Sequence, residues 1–160
     1  SIFSLINKKK LNSIILNFDE DSEDLFKWYQ QLVAESLGKK TKGILPVISN
    51  LPRDNHSLMQ LYLDGPKNCF YTFFDVFDKS SNKRLQKIKL AQKKATQTVF
   101  KKKNIPFRSF DLKYRSETSL GETFTFFMLE TILLAEVLKV DPFDQPSVEL
   151  IKTETNKLLR

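Results

Sequence analysis

Residues 68–76 read Asn-Cys-Phe-Tyr-Thr-Phe-Phe-Asp-Val. The run is aromatic and almost continuously apolar, with no alternation of polar and apolar positions. A strand with one wet face alternates; a strand without alternation is covered on both faces, as in a parallel sheet between two layers of helices. This stretch therefore predicts the architecture, and the flanking segments can be read against it.

Upstream, residues 13–18 (SIILNF) form a short β-branched apolar run, a strand. Residues 19–22 (DEDS) offer helix-capping acids. Leu25, Phe26, Tyr29, Leu32, Val33 and Ser36 follow at helical spacing up to Gly38. Residues 43–50 (GILPVISN) read as another strand, and Pro46, which has no backbone N–H to donate, argues against a central place in the sheet. Residues 55–63 read as a short helix closed by Asp64-Gly65-Pro66.

Downstream, residues 79–104 carry an amphipathic helix with Leu85, Ile88, Gln92, Ala95 and Val99 as its apolar stripe. Residues 106–112 (PFRSFDL) are a further strand candidate. A long apolar helix over 119–139, a Val-Asp-Pro-Phe-Asp turn and a last helix over 145–159 complete the chain. Phe124, Phe127, Met128, Ile132, Leu133 and Leu134 place the long helix at the centre of the packing. Strands alternating with helices imply right-handed crossovers. The expected fold class is α/β, a three-layer sandwich with a parallel sheet flanked by helices and two helices at the end. With 160 residues, 1–160 form a single domain with a real core, and 140–160 are its C-terminal helical extension.

Composition excludes several classes. Hydrophobic residues make up 41% of the chain, too many for a disordered one, and four glycines and six prolines exclude collagen-like or linker composition. The single cysteine, Cys69, cannot form an internal disulfide, which points to a reducing, intracellular setting. Apolar Ile2, Phe3, Leu5 and Ile6 precede Lys8, Lys9 and Lys10, the reverse of a secretory signal. The most apolar stretch, 124–138, is interrupted by Glu130 and Glu136 before it reaches the roughly 20 residues a bilayer requires, so no membrane partner is expected. No Met begins the chain: it was removed, or the chain is a piece of a longer one.

The net charge of +7 sits in one segment. Residues 79–104 hold ten basic side chains (from Lys79 to Lys103) and no acidic one, which leaves the rest of the chain net negative. A phosphate-backbone patch is one reading. Only Phe100 could stack on a base there and no nucleic-acid motif accompanies it, so a solvated helix face is the better reading and no nucleic-acid partner is expected.

Three positions could carry chemistry. His56 lies in the loop after the 43–50 strand, where parallel sheets place their ligands, and an imidazole moves protons at neutral pH. Glu35 falls in the last turn of its helix, where the carbonyl ends disfavour a negative charge by a few tenths to about 1 kcal/mol, a setting that suits a general base. Its plainer reading is a pair with Lys39 or Lys40. Gln31 lies one turn before Glu35 on the same face. Lys152 follows Gln145 by seven residues, which puts both on one side of the final helix, and Pro146 suits its first turn. One His and one Cys cannot make a zinc cage, and there is neither a glycine-rich phosphate loop nor a Gly-x-Ser-x-Gly elbow, so no metal and no cofactor is expected.

Four runs, in order, resemble the C-terminal part of the glucose-6-phosphate isomerase family: 31–39 (QLVAESLGK), 54–65 (DNHSLMQLYLDG), 120–122 (LGE) and 142–152 (PFDQPSVELIK). The last is similar to a family signature, with Ser147 where Gly or Ala is usual. The resemblance implies a sugar-isomerase (SIS) domain and a cytoplasmic enzyme that interconverts an aldose and a ketose sugar phosphate through a cis-enediol(ate). It implies Glu35 as the base, His56 and Lys152 in ring opening, and Gln31 and Gln145 as substrate-binding residues. It also implies a homodimer in which His56 completes the partner's site. The family's Gly-Gly-Arg-aromatic-Ser run is missing, as no Gly-Gly or Gly-Arg pair occurs, and so is its phosphate-gripping Ser/Thr loop. The chain is therefore expected to be inactive alone. A non-catalytic phosphosugar-binding regulator is the alternative the same fold allows.

Overall fold

The structure, a computed structural model, describes residues 2–77 and 82–159. Lys79, the first lysine of the basic segment, lies outside the described residues. β3 (Cys69–Val76) is buried at every position but Cys69. It pairs in parallel with β1 (Asn12–Asn17) on one side, Asn12 opposite Cys69, and with β4 (Phe107–Leu112) on the other, Tyr71 opposite Phe107. β2 (Leu45–Asn50) adds in parallel to the far side of β1, giving the order β2-β1-β3-β4. The expected three-layer α/β sandwich is the observed one. Pro46 sits in β2, an edge strand, where a missing N–H removes no ladder bond that a neighbour needs.

Both sheet faces are covered, which explains the unbroken apolar run. Ile15, Phe70 and Phe74 point to α2 (Glu23–Leu37) and α5 (Glu117–Leu138), where Phe26, Tyr29, Val33 and Phe127 close over them. Ile14, Leu16, Tyr71 and Phe73 point the other way, to Tyr62 of α3 (Met59–Asp64) and Phe100 of α4 (Lys83–Lys102). Because side chains alternate along a strand, neighbours of opposite parity must both be apolar when both faces are dry.

One element was not expected and three local expectations are corrected. The N-terminal apolar residues form a short helix, α1 (Ile2–Asn7), whose Ile2, Leu5 and Ile6 pack on the α2–α5 layer. The expected 55–63 helix divides into a 3₁₀ turn at Arg53–Asn55 and α3. α5 is not surrounded: Thr123, Phe127, Thr131, Leu134 and Ala135 are buried, but Met128, Ile132 and Leu133 are 40%, 40% and 60% exposed. A helix on the outside of a sandwich has one inner face, however apolar the rest of it is.

α4 departs furthest from its pattern. Its buried residues are Lys93 and Phe100, whereas Leu85, Ile88 and Val99, the expected inner stripe, are 65%, 47% and 37% exposed. Carboxylates at the ends of β3 and β4 account for this. Lys89 Nζ lies 2.7 Å from Asp75 Oδ1, and Lys93 Nζ lies 3.3 Å from Asp75 Oδ2 and also bonds Asp111. Asp75 is buried, and a buried carboxylate left without cations is strongly destabilising. The helix therefore turns its lysines inward.

The chain ends in α6 (Pro146–Leu158), which buries none of its residues. Among the described residues no helix is long and apolar enough to cross a membrane.

Candidate active site

α2 returns from the carboxyl edge of the sheet to its amino edge, so its last turn, with Glu35, lies near the start of β2. Glu35 is half-buried. Gln31 Nε2 donates to its Oε1 at 3.1 Å, the one-turn spacing expected on a helix. Gln145 Nε2, 110 residues along the chain, donates to its Oε2 at 2.9 Å. Both carboxylate oxygens are thereby oriented by amides.

The contact to Gln145 depends on the strap between α5 and α6. Lys39 Nζ forms an ion pair with Asp144 at 2.8 Å and donates to the Asp141 carbonyl, and Lys42 Nζ donates to the Leu138 carbonyl at 2.6 Å. Lys39 thus pairs across the fold, not with Glu35. Sequence reasoning missed Lys39 and Asp144 as positioning residues. The available signal was their presence inside the 31–39 and 142–152 runs, which meet here in space.

Lys152 is one of the exposed residues of α6, and its Nζ lies 2.6 Å from Glu149. It lies seven residues from Gln145, about 10 Å along a helix. His56 ends the 3₁₀ turn after β2, at the carboxyl edge, and is exposed. Asp54 folds that loop back, accepting from Ser49 Oγ at 3.1 Å and the Asn50 amide at 2.8 Å. β2 separates the two positions: six residues at about 3.3 Å each give roughly 20 Å. The structure brings Gln31, Glu35 and Gln145 together and leaves His56 at the opposite edge of the same chain.

The largest cavity described, about 570 Å³, opens at the carboxyl edge between α2 and α5. Leu25, Phe74 and Phe124 form part of its wall, with Arg115, which pairs with Asp19 at 2.8 Å and Asp21 at 3.1 Å. None of the five sequence-predicted site residues lines it.

The sandwich thus carries a glutamate whose two carboxylate oxygens accept from Gln31, one turn away on its own helix, and from Gln145, a distant segment. No family model matches the chain. Among curated proteins it is similar to glucose-6-phosphate isomerase of Mycoplasmopsis pulmonis (34% identical over 174 residues, 97% of this chain and 41% of that protein). It is also similar to that of Methanocaldococcus jannaschii (30% over 151 residues, 86% and 38%). Two solved structures share the fold. A hypothetical protein of Thermus thermophilus has TM-score 0.83 at 24% identity, covering 98% of this chain and 43% of that one. A glucose-6-phosphate isomerase of Chlamydia trachomatis has TM-score 0.77 at 17% identity, covering 93% and 34%. Over the portion it spans, this chain is similar to curated glucose-6-phosphate isomerases. It spans about two fifths of the length of those curated relatives.

Proposed function

We infer that this chain is the C-terminal sugar-isomerase-type domain of a longer glucose-6-phosphate isomerase. The longer enzyme interconverts D-glucose 6-phosphate and D-fructose 6-phosphate in cytoplasmic glycolysis and gluconeogenesis. The observation that carries the reading is the Glu35 carboxylate held at both oxygens by Gln31 and Gln145.

A carboxylate that must take a proton from carbon and return it to the neighbouring carbon has to stay in one orientation between the two transfers. The paired amides do that. Glu35 takes the C2 proton of the open-chain aldose, and the electron pair forms the C1–C2 double bond of the cis-enediol(ate) as the C1 carbonyl π pair moves onto O1. The same carboxyl returns the proton to C1 as the O2 hydroxyl proton passes to O1 and C2 becomes the ketone. Ring opening precedes this and needs a proton moved to the ring oxygen from an imidazole and an amine. Lys152 is held only by an exposed pair with Glu149, a contact worth about 0–1 kcal/mol, so it can turn to a substrate.

His56 lies at the far edge of its own sheet, which supports a homodimer in which His56 of the partner subunit supplies the imidazole. The phosphate-gripping loop and the enediolate-stabilising arginine belong to the remainder of the enzyme. Without that anchoring the orientation at C1 and C2 is lost, and the chain alone has negligible activity; near-normal turnover in a coupled assay would contradict this.

The decisive experiment is on the full-length enzyme. Glu35→Gln abolishes exchange of the substrate's C2 proton with solvent while sugar phosphate binding persists; exchange that continues reassigns the base.

A further inference from the structure

The Glu35 carboxylate is only as well placed as the strap that carries Gln145. α6 buries none of its residues, so within this chain packing does not fix where Gln145, the residue before its first turn, comes to rest. The turn after α2 fixes it. Lys39 Nζ reaches Asp144 at 2.8 Å and also the Asp141 carbonyl, and Lys42 Nζ reaches the Leu138 carbonyl at 2.6 Å. The strap is thus held at its start, at its middle and next to Gln145. The Lys39 side chain is only 9% exposed. An ammonium group so far withdrawn from water needs partners, and those it has among the described residues lie on the strap.

The turn also carries strain. Lys40 and Thr41 are successive left-handed residues, at φ 52° and 61°, although neither is glycine and Thr41 is β-branched. Such a conformation persists where its surroundings over-determine it, and it gathers at functional sites. Here the two lysines that flank it both donate to one strap, which opens with a further left-handed residue, Lys139 at φ 56°.

We propose that Lys39 is a positioning residue for the proton transfer: by clamping the strap it keeps Gln145 on the Glu35 carboxylate, and so sets how much of the C2 proton reaches C1 instead of solvent. This rests on the reading of Glu35 as the base. Between the two transfers the Glu35 carboxylic acid holds the substrate's proton, and two fates compete. Either its O–H bond breaks toward C1, or it gives that proton to water and takes another back. Held by an amide at each oxygen, the carboxyl stays aligned with C1 and C2. Freed from Gln145, it turns and meets water more often. A purely structural anchor behaves otherwise: its loss lowers the amount of active enzyme and leaves the division of the proton in the surviving molecules as it was.

The test uses the full-length enzyme and glucose 6-phosphate deuterated at C2. At low conversion, NMR reads the deuterium found at C1 of the product against that lost to solvent. Lys39→Met raises the share lost to solvent about twofold or more and lowers kcat about tenfold, as expected when a reacting group loses its orientation. Asp144→Ala raises that share less, because Lys39 keeps the Asp141 carbonyl. An unchanged division in folded Lys39→Met overturns the proposal. If that variant does not fold, an unchanged division in Asp144→Ala, whose wild-type side chain is more than half exposed, overturns it instead. Glu35→Gln in the same assay separates the two claims. If it still releases C2 deuterium, the base is another group and both fail; if it releases none while Lys39→Met divides the proton as the wild type does, only the role of Lys39 fails.

Discussion

α5 and α4 cover opposite faces of one sheet by different rules. α5 sets Phe127, Leu134 and Ala135 against the strands, and its Phe127 ring meets those of Phe26, Tyr29 and Phe110. α4 sets Lys93 and Phe100 against them and turns leucine, isoleucine and valine outward. On the first face area removed from water decides which residues go in. On the second, the two strand-end carboxylates hold Lys89 and Lys93 inward beside Phe100, and the aliphatic residues of α4 face out.

That contrast can be broken from either side. Phe127→Ala on the α5 face costs about 3–5 kcal/mol in urea unfolding, whereas Leu133→Ser on the outer face of the same helix changes stability by less than about 0.5 kcal/mol. Equal effects would mean that α5 is covered on both sides.

On the α4 face, Asp75→Leu strands the Lys93 ammonium with Asp111 alone and costs about 3 kcal/mol, and the double variant Asp75→Leu/Lys93→Met recovers most of that loss. A double variant as unstable as the single one would show that packing, not charge, sets the roll of α4.

A smaller effect sharpens the comparison at high pH. Burial raises the phenol pKa of Tyr29 on the α5 side and of Tyr62 and Tyr71 on the α4 side. The folded chain therefore holds protons that the unfolded chain releases near pH 10, so stability falls as pH rises above that value. Phenolate absorbance from these tyrosines should appear together with unfolding; absorbance that rises while the fold is intact would show both layers to be open to solvent.

Much of the fold was legible in residues. The run 68–76 called for cover on both faces, and Pro46 called for an edge. In each case one local property, hydrophobic parity or a missing donor, admits a single solution. The amphipathic stripe of α4 was misleading because periodicity ranks apolar residues without knowing where carboxylates stand. Asp75 and Asp111 lie opposite each other only once β3 and β4 pair.

The candidate site divides the same way. Glu35 and Gln31 share a helix face, which spacing alone shows. The Gln145 contact needs Lys39 and Lys42 to hold the strap after α5, and no local rule contains that. His56 was placed correctly in its loop, but its distance from Glu35 is a property of the sheet between them.

By itself the amino-acid order determined which segments become strands and helices and which side chains can move a proton, because backbone propensity and side-chain chemistry act over a few residues. Tertiary structure alone decided which face α4 buries, which amides hold the Glu35 carboxylate, and which edge each reactive group occupies. Those outcomes depend on charges and carbonyls that meet only on packing: Lys93 with carboxylates 18 residues away on either side, and the Gln145 amide on Glu35 and the strap carbonyl on Lys42 at separations of 110 and 96 residues.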